Sequence, residues 1–526
     1  MKYILAILIF LIVLPLTATD LYKQHSDGNA IVQESLNARF RTSYEVIELS
    51  ATDNMGVLGT HFDFYPIESF NPFYAGLGFY SALTGEDGGF FAYGYTMGLD
   101  YKFYNYFHID GGVYVGGGAG EYIGFDNGGM LLRSHVALSY ELKGAEIVVG
   151  LARTDFPNTT KHKEYESDVH PYFGINISSD AWSQSSDSNY SSNLNNFDGL
   201  FRDIRITPAV VMYKIDDKPT KRSKYYQGSK AYQDDFPMLG IQVDKFLTEN
   251  IFVSMEAYGA LSSAAGYAAL QAGLGYDMIL TDSLIWESKM VAGSAGDSRI
   301  DTGGGFILQP MTGFRFEMTP SLSFKTLAGR TYAPDGLFST TTYEVGLSWK
   351  ANQPVVKKGK YLFDLDSFDN LEWVMSPSVK IYFPYDSLHK DSKEESSEKI
   401  GLIGITLAVP LSDWFSLTGS THWATTGNVG SYAEGLFGAK LSTAHFTPLK
   451  IKGMILGEIG AGAGAGINTS SGGYVAQISA GFALPISKNT GVSLNGGHVR
   501  TSDGRFKANT VLLAFDLNLN LIFKKN

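Results

Sequence analysis

The residues of this chain with the clearest chemical potential are charged side chains that recur at matched positions. Asp110, Glu287 and Glu458 follow one another at nearly regular intervals, and Arg133 and Arg315 follow the first two of them. Rings of charge that face a water-filled lumen set the ion selectivity of a channel. Buried acids, in contrast, must pair with basic or hydrogen-bonding partners. We predict that all five side chains face a lumen, where pairing is the expected role and ion selectivity is the alternative.

The histidines show no arrangement that indicates catalysis. His135 directly follows Ser134, and neighbouring residues of a strand point to opposite faces. His498 has a serine and an aspartate a few positions later, but they are also neighbours in sequence. His108 and Asp110 share a face, yet the matching stretches elsewhere in the chain lack the histidine. Since the chain also has no cysteine, we expect no catalytic residues, no cofactor and no metal site.

These side chains must be positioned by β-strands, as residues 91–103 indicate. Apolar and mostly aromatic residues take every second position there, and small, polar or charged residues lie between them. A period of two is typical of a strand. Twelve steps of roughly 3.3 Å, tilted by about 40°, span about 30 Å, which is the thickness of the membrane core. The stretch therefore predicts a membrane-spanning strand with an apolar outer face.

The composition fits strands of this kind. The chain contains 59 Gly, 31 Tyr and 34 Phe, and its formal charge is −12. The mean hydropathy is only −0.04, because alternating strands average out hydropathy. No basic face is clustered, so we expect no nucleic-acid partner. Residues 116–118 are three glycines without the helix and lysine of a phosphate loop, and we interpret them as a place of bending or close packing.

The N-terminus predicts export. Lys2 precedes an apolar run that ends near Leu16, and Ala18 and Thr19 follow it. This is the pattern of a secretory signal peptide over residues 1–19, with an uncleaved membrane anchor as the alternative. The run is shorter than the roughly 20 residues of a spanning helix. We interpret residues 20–37 as a polar periplasmic leader.

The chain also repeats itself on a long period. An Arg-Thr pair closes a predicted strand at Arg153, Arg330 and Arg500, which are about 177 and 170 residues apart. Each copy has about eight predicted strands, so we expect about 24 strands in all. The predicted units are barrel repeat 1 at residues 38–178, barrel repeat 2 at 201–350 and barrel repeat 3 at 370–523.

Three copies of eight strands can close in two ways. Eight strands make a small barrel that its own side chains fill, whereas more than twenty enclose a wide lumen. We predict an all-β fold, a single transmembrane antiparallel β-barrel of about 24 strands, because the strand pattern is continuous. The alternative is three tandem eight-stranded barrels, which the long polar seams between the copies favour.

The last strand and the connections resemble a known class of proteins. Residues 515–523 alternate between apolar and polar side chains and finish on Phe523, just before the chain ends. Tight turns and long connections rich in Gly, Ser and Asn mostly alternate. In this pattern residues 38–523 resemble the outer-membrane β-barrel superfamily in general, without a motif of one particular family.

The resemblance implies a protein of the cell outer membrane. Its expected partners are outer-membrane lipid, lipopolysaccharide and the barrel-insertion machinery, and association with further copies of the chain stays open. Because one barrel of about 24 strands would enclose a wide lumen, we expect the function of a porin-like channel for passive or weakly selective passage of small polar solutes or ions. The alternatives are a non-pore structural or surface-interaction barrel and, third, a lipid-modifying enzyme; we expect that the protein is not an enzyme.

One predicted outer loop is basic and rich in tyrosine. Such a loop offers charge-assisted contacts to the phosphates of lipopolysaccharide, and an ordinary solvated loop is the alternative. The candidate residues of this loop are Lys218, Lys221, Arg222, Lys224, Tyr225 and Tyr226.

Overall fold

A computed structural model of the chain describes the strands and part of the connections. The described residues are 35–48, 54–65, 72–85, 89–119, 129–142, 145–157, 169–182, 204–215, 235–261, 263–264, 266–296, 300–319, 321–351, 368–387, 399–427, 429, 432–444, 451–463, 467, 473–486, 490–501 and 506–524. The predicted signal peptide lies outside them, as does most of the predicted leader. No helix among the described residues is long and apolar enough to cross a membrane.

The described elements are twenty-four antiparallel strands in three groups of eight. Barrel 1 consists of β1 (Ser35–Glu48), β2 (Asn54–Phe64), β3 (Phe73–Gly85), β4 (Phe91–Tyr104), β5 (Phe107–Ala119), β6 (Met130–Leu142), β7 (Ala145–Asp155) and β8 (Val169–Trp182). Barrel 2 consists of β9 (Ile204–Ile215), β10 (Phe236–Phe246), β11 (Ile251–Ala260), β12 (Ala268–Ile279), β13 (Leu284–Gly296), β14 (Phe306–Glu317), β15 (Leu322–Tyr332) and β16 (Ser339–Ala351). Barrel 3 consists of β17 (Phe368–Ser387), β18 (Ile400–Ser412), β19 (Phe415–Thr426), β20 (Ala433–Ser442), β21 (Lys452–Ala463), β22 (Tyr474–Pro485), β23 (Thr490–Thr501) and β24 (Phe506–Lys524).

Each group closes on itself, so the preferred prediction of one wide barrel is not what the structure shows. In barrel 1 the first strand pairs with the eighth, in a register that sets Thr42 opposite Ile175. The corresponding pairs are β9 with β16 and β17 with β24. The edges of each sheet satisfy one another, which leaves no free edge for the next copy. The all-β fold and the strand number are confirmed, and the architecture is the alternative of three tandem eight-stranded barrels.

The two faces of the strands differ as the sequence pattern predicts. In β7, Ile147 and Val149 are 52% and 61% exposed on the outside, whereas Glu146 and Val148 are buried inside. The same alternation marks strands of all three barrels. Every strand has 10 residues or more, and a tilted membrane-spanning strand needs about 9–11. Each barrel therefore has a polar interior and an apolar outer wall.

An apolar cluster fills the interior at the end that carries the long connections. In barrel 1 it includes Tyr80, Phe90 and Tyr114, each 1% exposed, and the rings of Tyr80 and Tyr114 are 4.9 Å apart. Residues from the connections, such as Phe156, complete the cluster. The counterparts in the other barrels include Tyr213, Phe236 and Tyr267 in barrel 2, and Tyr382, Tyr432 and Phe506 in barrel 3.

The outward face of β4 is divided between solvent and a neighbouring barrel. Leu99 and Tyr101 are about half exposed, whereas Tyr95 is 4% exposed. The Tyr95 hydroxyl accepts a hydrogen bond from the backbone N–H of Ser378 at 2.9 Å and lies 2.5 Å from the carbonyl oxygen of Gly404. Those two residues belong to barrel 3, so the half of β4 that is nearer its N-terminal end packs against another barrel.

Further contacts join the three barrels near their long-connection ends. A methyl group on Gly117 would lie 2.7 Å from the carbonyl oxygen of Ala424, so only glycine permits this approach of barrels 1 and 3. Ser294 of barrel 2 donates a hydrogen bond to the carbonyl oxygen of Ala82 in barrel 1 at 2.5 Å. Gly473 of barrel 3 lies beside the end of β11 in barrel 2. Each barrel thus touches the other two, with like ends together.

Candidate functional site

The interior of barrel 1 holds a guanidinium group surrounded by three carboxylates. Arg39 of β1 pairs with Asp63 of β2, Asp100 of β4 and Asp110 of β5, at N–O distances of 3.1, 2.9 and 2.8 Å. Its guanidinium carbon lies 4.6 Å from the ring centroid of Tyr74. Because all these groups are buried, each depends on the others to offset the loss of water.

Barrel 2 builds the same group from the same strand positions. Arg205 of β9 pairs with Asp244 of β10, Asp277 of β12 and Glu287 of β13, at 2.7, 2.5 and 3.5 Å. Arg315 of β14 pairs with Glu287 as well. The internal repeat therefore preserves a base on the first strand and acids on the second, fourth and fifth.

Further ion pairs occupy the middle of barrels 1 and 2. In barrel 1, the Nε and Nη2 groups of Arg133 donate to the two carboxylate oxygens of Glu45, at 3.0 and 2.9 Å. In barrel 2, Lys289 pairs with Glu256 at 2.5 Å and with Glu344 at 2.8 Å. These side chains are between 0% and 3% exposed. Together with the apolar clusters they fill the two interiors with side chains.

The interior of barrel 3 is organised around Glu434. This carboxylate accepts hydrogen bonds from Lys380 and from the hydroxyl groups of Tyr382 and Tyr432, each at 2.7 Å. Glu458 accepts hydrogen bonds from Thr418 at 3.2 Å and from a glutamine of β22 at 3.3 Å. Barrel 3 lacks the arginine of the other two copies at the first strand.

The five predicted lumen charges all lie inside the barrels, but in three separate interiors. Asp110 pairs with Arg39 and Arg133 with Glu45, so the two candidates of barrel 1 do not pair with each other. Of the other three candidates, Glu287 and Arg315 lie inside barrel 2, and Glu458 lies inside barrel 3. They form no common ring, because each sheet closes after eight strands. The six surface-loop candidates, Lys218 to Tyr226, lie outside the described residues.

The sequence reasoning missed the two central arginines, Arg39 and Arg205. Each is the first inward-facing base of its copy, and this shared position was a signal available in the repeat. Their acidic partners come from strands up to 82 residues away. Strand order alone does not reveal such pairings, because the inward face of every strand in a closed barrel is near several others.

Barrel 3 also contains a serine, a histidine and an acid in the order of a catalytic triad. Ser378 Oγ lies 3.1 Å from His422 Nε2, and His422 Nδ1 lies 3.7 Å from Glu434. A triad needs an accessible nucleophile and an acid free to orient the histidine. Here the three residues are at most 2% exposed, and Glu434 already holds Lys380 and two tyrosines. The arrangement is a buried polar network of the barrel interior.

His135 and His498, two of the three histidines considered from the sequence, have other surroundings. His135 Nε2 lies 2.7 Å from Asp110 inside barrel 1, and its further described contacts include Arg41 but not Ser134. His498 stacks on Tyr385 with ring centroids 5.6 Å apart. Neither is placed beside a serine and an acid together in the part of the chain that the structure describes.

Comparison with solved structures finds matches that cover most of the chain at low sequence identity. The siderophore receptor PirA from Acinetobacter baumannii is 8% identical, with 94% of this chain and 81% of that chain covered and a TM-score of 0.27. The ferric enterobactin receptor PfeA from Pseudomonas aeruginosa is 7% identical, with 94% and 82% covered and a TM-score of 0.27. OccK11 (OpdR) from Pseudomonas aeruginosa is 10% identical, with 93% and 96% covered and a TM-score of 0.21.

At these identities and TM-scores the likenesses carry no argument about function. No protein-family model matches the chain, and no curated protein matches it. The closed antiparallel barrels themselves, with apolar walls and polar interiors, have the architecture of the outer-membrane β-barrel superfamily. The resemblance seen in the sequence is thus confirmed at the level of the fold.

Proposed function

We propose that this chain is an outer-membrane protein in which three closed barrels stand side by side in the bilayer. The exposed outer walls support this proposal. Barrel 1 exposes Leu138, Val149 and Phe173 by 55%, 61% and 62% of their surface, and similar side chains cover barrels 2 and 3. Apolar surfaces of this extent mark contact with a membrane or a partner. Predicted export by a signal peptide agrees with this location.

Exposed aromatic residues at the short-turn end of barrel 1 add to this support. Phe103, Tyr104, Tyr106 and Phe107 surround the β4–β5 turn and are between 41% and 64% exposed. Belts of aromatic side chains lie where outer-membrane barrels meet the lipid headgroups. With this end at the periplasmic surface, the long connections face outward.

We further propose that the protein acts as a non-pore anchor for its outer connections. The apolar clusters inside the barrels are the observation that carries this proposal. An eight-stranded barrel has an interior just wide enough for its own side chains or one small ligand, and here buried apolar and charged side chains occupy it. The earlier preference for a porin-like channel depended on one wide barrel, and that argument does not extend to three narrow ones. In this proposal the partners remain lipid, lipopolysaccharide and the insertion machinery, and the chain is not an enzyme.

A narrow ion channel is the second candidate function. The charged side chains below each apolar cluster favour it, because a rearrangement of ion pairs would open a polar path. Such a path would carry small ions, and the apolar cluster would act as its gate.

Planar bilayer recordings distinguish the two candidates. We expect the wild-type protein to show no discrete openings, with insertion verified by protease protection in vesicles. Replacing Tyr80, Phe90 and Tyr114 together with Ala removes the apolar cluster of barrel 1, and we expect small conductance steps from this variant. A matched variant that replaces the exposed aromatics Phe103, Tyr106 and Tyr140 with Ala should stay silent. Frequent openings of the wild type would refute the non-pore proposal.

A further inference from the structure

A histidine and two carboxylates meet at the short-turn end of barrel 1. Asp100 of β4, His108 of β5 and Glu146 of β7 each offer one ligand atom, and these atoms lie within 4.8 Å of one another. His108 Nδ1 lies 3.1 Å from Asp100 Oδ1. The His108 side chain is 14% exposed, so the group is reached from water at this mouth of the barrel. Glu141 lies next to it, with an oxygen 3.6 Å from His108 Nε2.

Glu146 is the member of this group with the least compensation. It is 5% exposed and accepts hydrogen bonds from Ser139 at 3.1 Å and from Asn176 at 2.8 Å. No Lys or Arg among the described residues forms an ion pair with it. A buried carboxylate is costly without a nearby positive charge. Glu146 therefore lies where an additional cation would be stabilised.

The balance of charges inside barrel 1 also favours an additional cation. Among the described residues, five carboxylates inside this barrel face three guanidinium groups, which leaves an excess of two negative charges. Lys102 and Glu141 pair with each other at the mouth and cancel. The five acids are Glu45, Asp63, Asp100, Asp110 and Glu146, and the three bases are Arg39, Arg41 and Arg133.

We infer that Asp100, His108 and Glu146 form a binding site for one divalent transition-metal ion, with Zn²⁺ as the best fit. One imidazole nitrogen and two carboxylate oxygens are a donor set that Zn²⁺ accepts, and a water molecule at the open mouth completes four ligands. The ion offsets the two excess negative charges. Bound there, it replaces the direct contact between His108 and Asp100 and cross-links β4, β5 and β7.

This inference departs from the expectation of no metal site. The sequence argument compared His108 with Asp110 and rejected a site because the other copies lack the histidine. In the structure His108 turns instead to Asp100 and Glu146, and Asp110 pairs with Arg39 and His135. Among the described residues such a group occurs in barrel 1, and a site specific to one copy does not require the histidine in the others. The inference is independent of the proposed function.

The competing account is that His108 simply binds a proton and pairs with the acids around it. A direct titration separates the two. The tag-free full chain, folded in detergent, is titrated with ZnCl₂ in competition with a chromophoric chelator. The variants are His108→Gln and Glu146→Gln, which keep hydrogen-bonding groups at both positions. His498→Gln is the matched control, because His498 stacks on Tyr385 at the other end of a different barrel.

We expect one Zn²⁺ per chain for the wild type and for His498→Gln, with equal affinity. His108→Gln and Glu146→Gln should lose at least about tenfold in affinity, with a wild-type circular dichroism spectrum to show that they fold. If the folded wild type binds no stoichiometric Zn²⁺, the protonated histidine is the correct account. Equal binding by wild type and His108→Gln would place the metal elsewhere and overturn the assignment.

Discussion

Replacing Arg205 with Met will destabilise barrel 2 by about 3–5 kcal/mol, because removal of one partner of a buried ion pair leaves uncompensated charge. Arg205 is 2% exposed and holds Asp244 and Asp277 at 2.7 and 2.5 Å. Without it, neither acid has another base in direct contact among the described ion pairs. The measurement is the free energy of unfolding in vesicles from guanidinium titration, followed by tryptophan fluorescence.

The matched control for this prediction is Arg330→Met. Arg330 lies on the outside of the same barrel, where it donates a hydrogen bond to Ser339. Exposed ionic contacts contribute about 0–1 kcal/mol, so we expect a change of no more than that. A second variant, Arg205→Met with Asp277→Asn, should recover part of the loss because it removes one orphaned charge. Equal effects of Arg205→Met and Arg330→Met would show that the buried network does not hold the barrel together.

Replacing Gly117 with Leu will separate barrels 1 and 3 while both stay folded. A side chain at this position meets the carbonyl oxygens of Trp423 and Ala424, whose distances from its Cβ would be 2.8 and 2.7 Å. Backbone atoms of a closed sheet cannot move aside without breaking pairs, so the barrels themselves must part. The separation also breaks the hydrogen bonds of the Tyr95 hydroxyl with Ser378 and Gly404, each of which contributes about 0.5–1.5 kcal/mol.

Distances between spin labels on the two barrels measure this separation. Labels at Leu151→Cys and Phe482→Cys occupy exposed outer walls of barrels 1 and 3, and the chain has no native cysteine to interfere. We expect one narrow distance distribution for the parent chain and a broad, longer one for Gly117→Leu. The control is Gly435→Leu, where an added side chain meets nothing within 4 Å. An unchanged distribution in Gly117→Leu would mean that barrels 1 and 3 do not pack through this glycine.

Much of the fold could be predicted from local pattern. The alternation of residues 91–103 indicated a strand with an apolar outer face, and β4 spans Phe91–Tyr104. The strand count also followed, because each strand carries its own period of two. The pairing between the first and last strands of each sheet could not be predicted in this way. Closure requires β1 to pair with β8 rather than with β24, and no local sequence pattern distinguishes these two pairings.

The sequence pattern also did not predict that the outward face of β4 is divided between solvent and barrel 3. Tyr95 and Tyr101 look alike in the pattern, yet one is buried against barrel 3 and the other is 56% exposed. On β20, the corresponding strand of the third copy, Phe437 and Leu441 are exposed, whereas the aromatic strand β4 of the first copy packs against a neighbouring barrel. Contact between barrels is decided by shape and by small residues such as Gly117, not by how apolar a face is.

The candidate site was predicted only in part, because the sequence repeat identifies charged residues but not which of them pair in the closed barrel. Asp110 and Glu287 were found because they recur, and recurrence also marks Arg39 and Arg205. Their ion-pair partners could be identified only from the closed barrel, in which the first, second, fourth and fifth strands surround one point. Ser378, His422 and Glu434 could not be grouped from the sequence, because three strands of barrel 3 supply them.

The central claim is that each copy closes into its own eight-stranded barrel, and a disulfide test addresses it most directly. Thr42 of β1 and Ile175 of β8 lie opposite each other on the outside of barrel 1. Directly paired residues have Cα atoms about 4.5–5.5 Å apart, within the range that a disulfide bridges. We predict that the variant Thr42→Cys with Ile175→Cys oxidises to an internal disulfide in vesicles. The variant Thr42→Cys with Val511→Cys, which joins β1 to β24, should remain reduced. A disulfide in the second variant and none in the first would contradict the three-barrel architecture and restore a single large barrel.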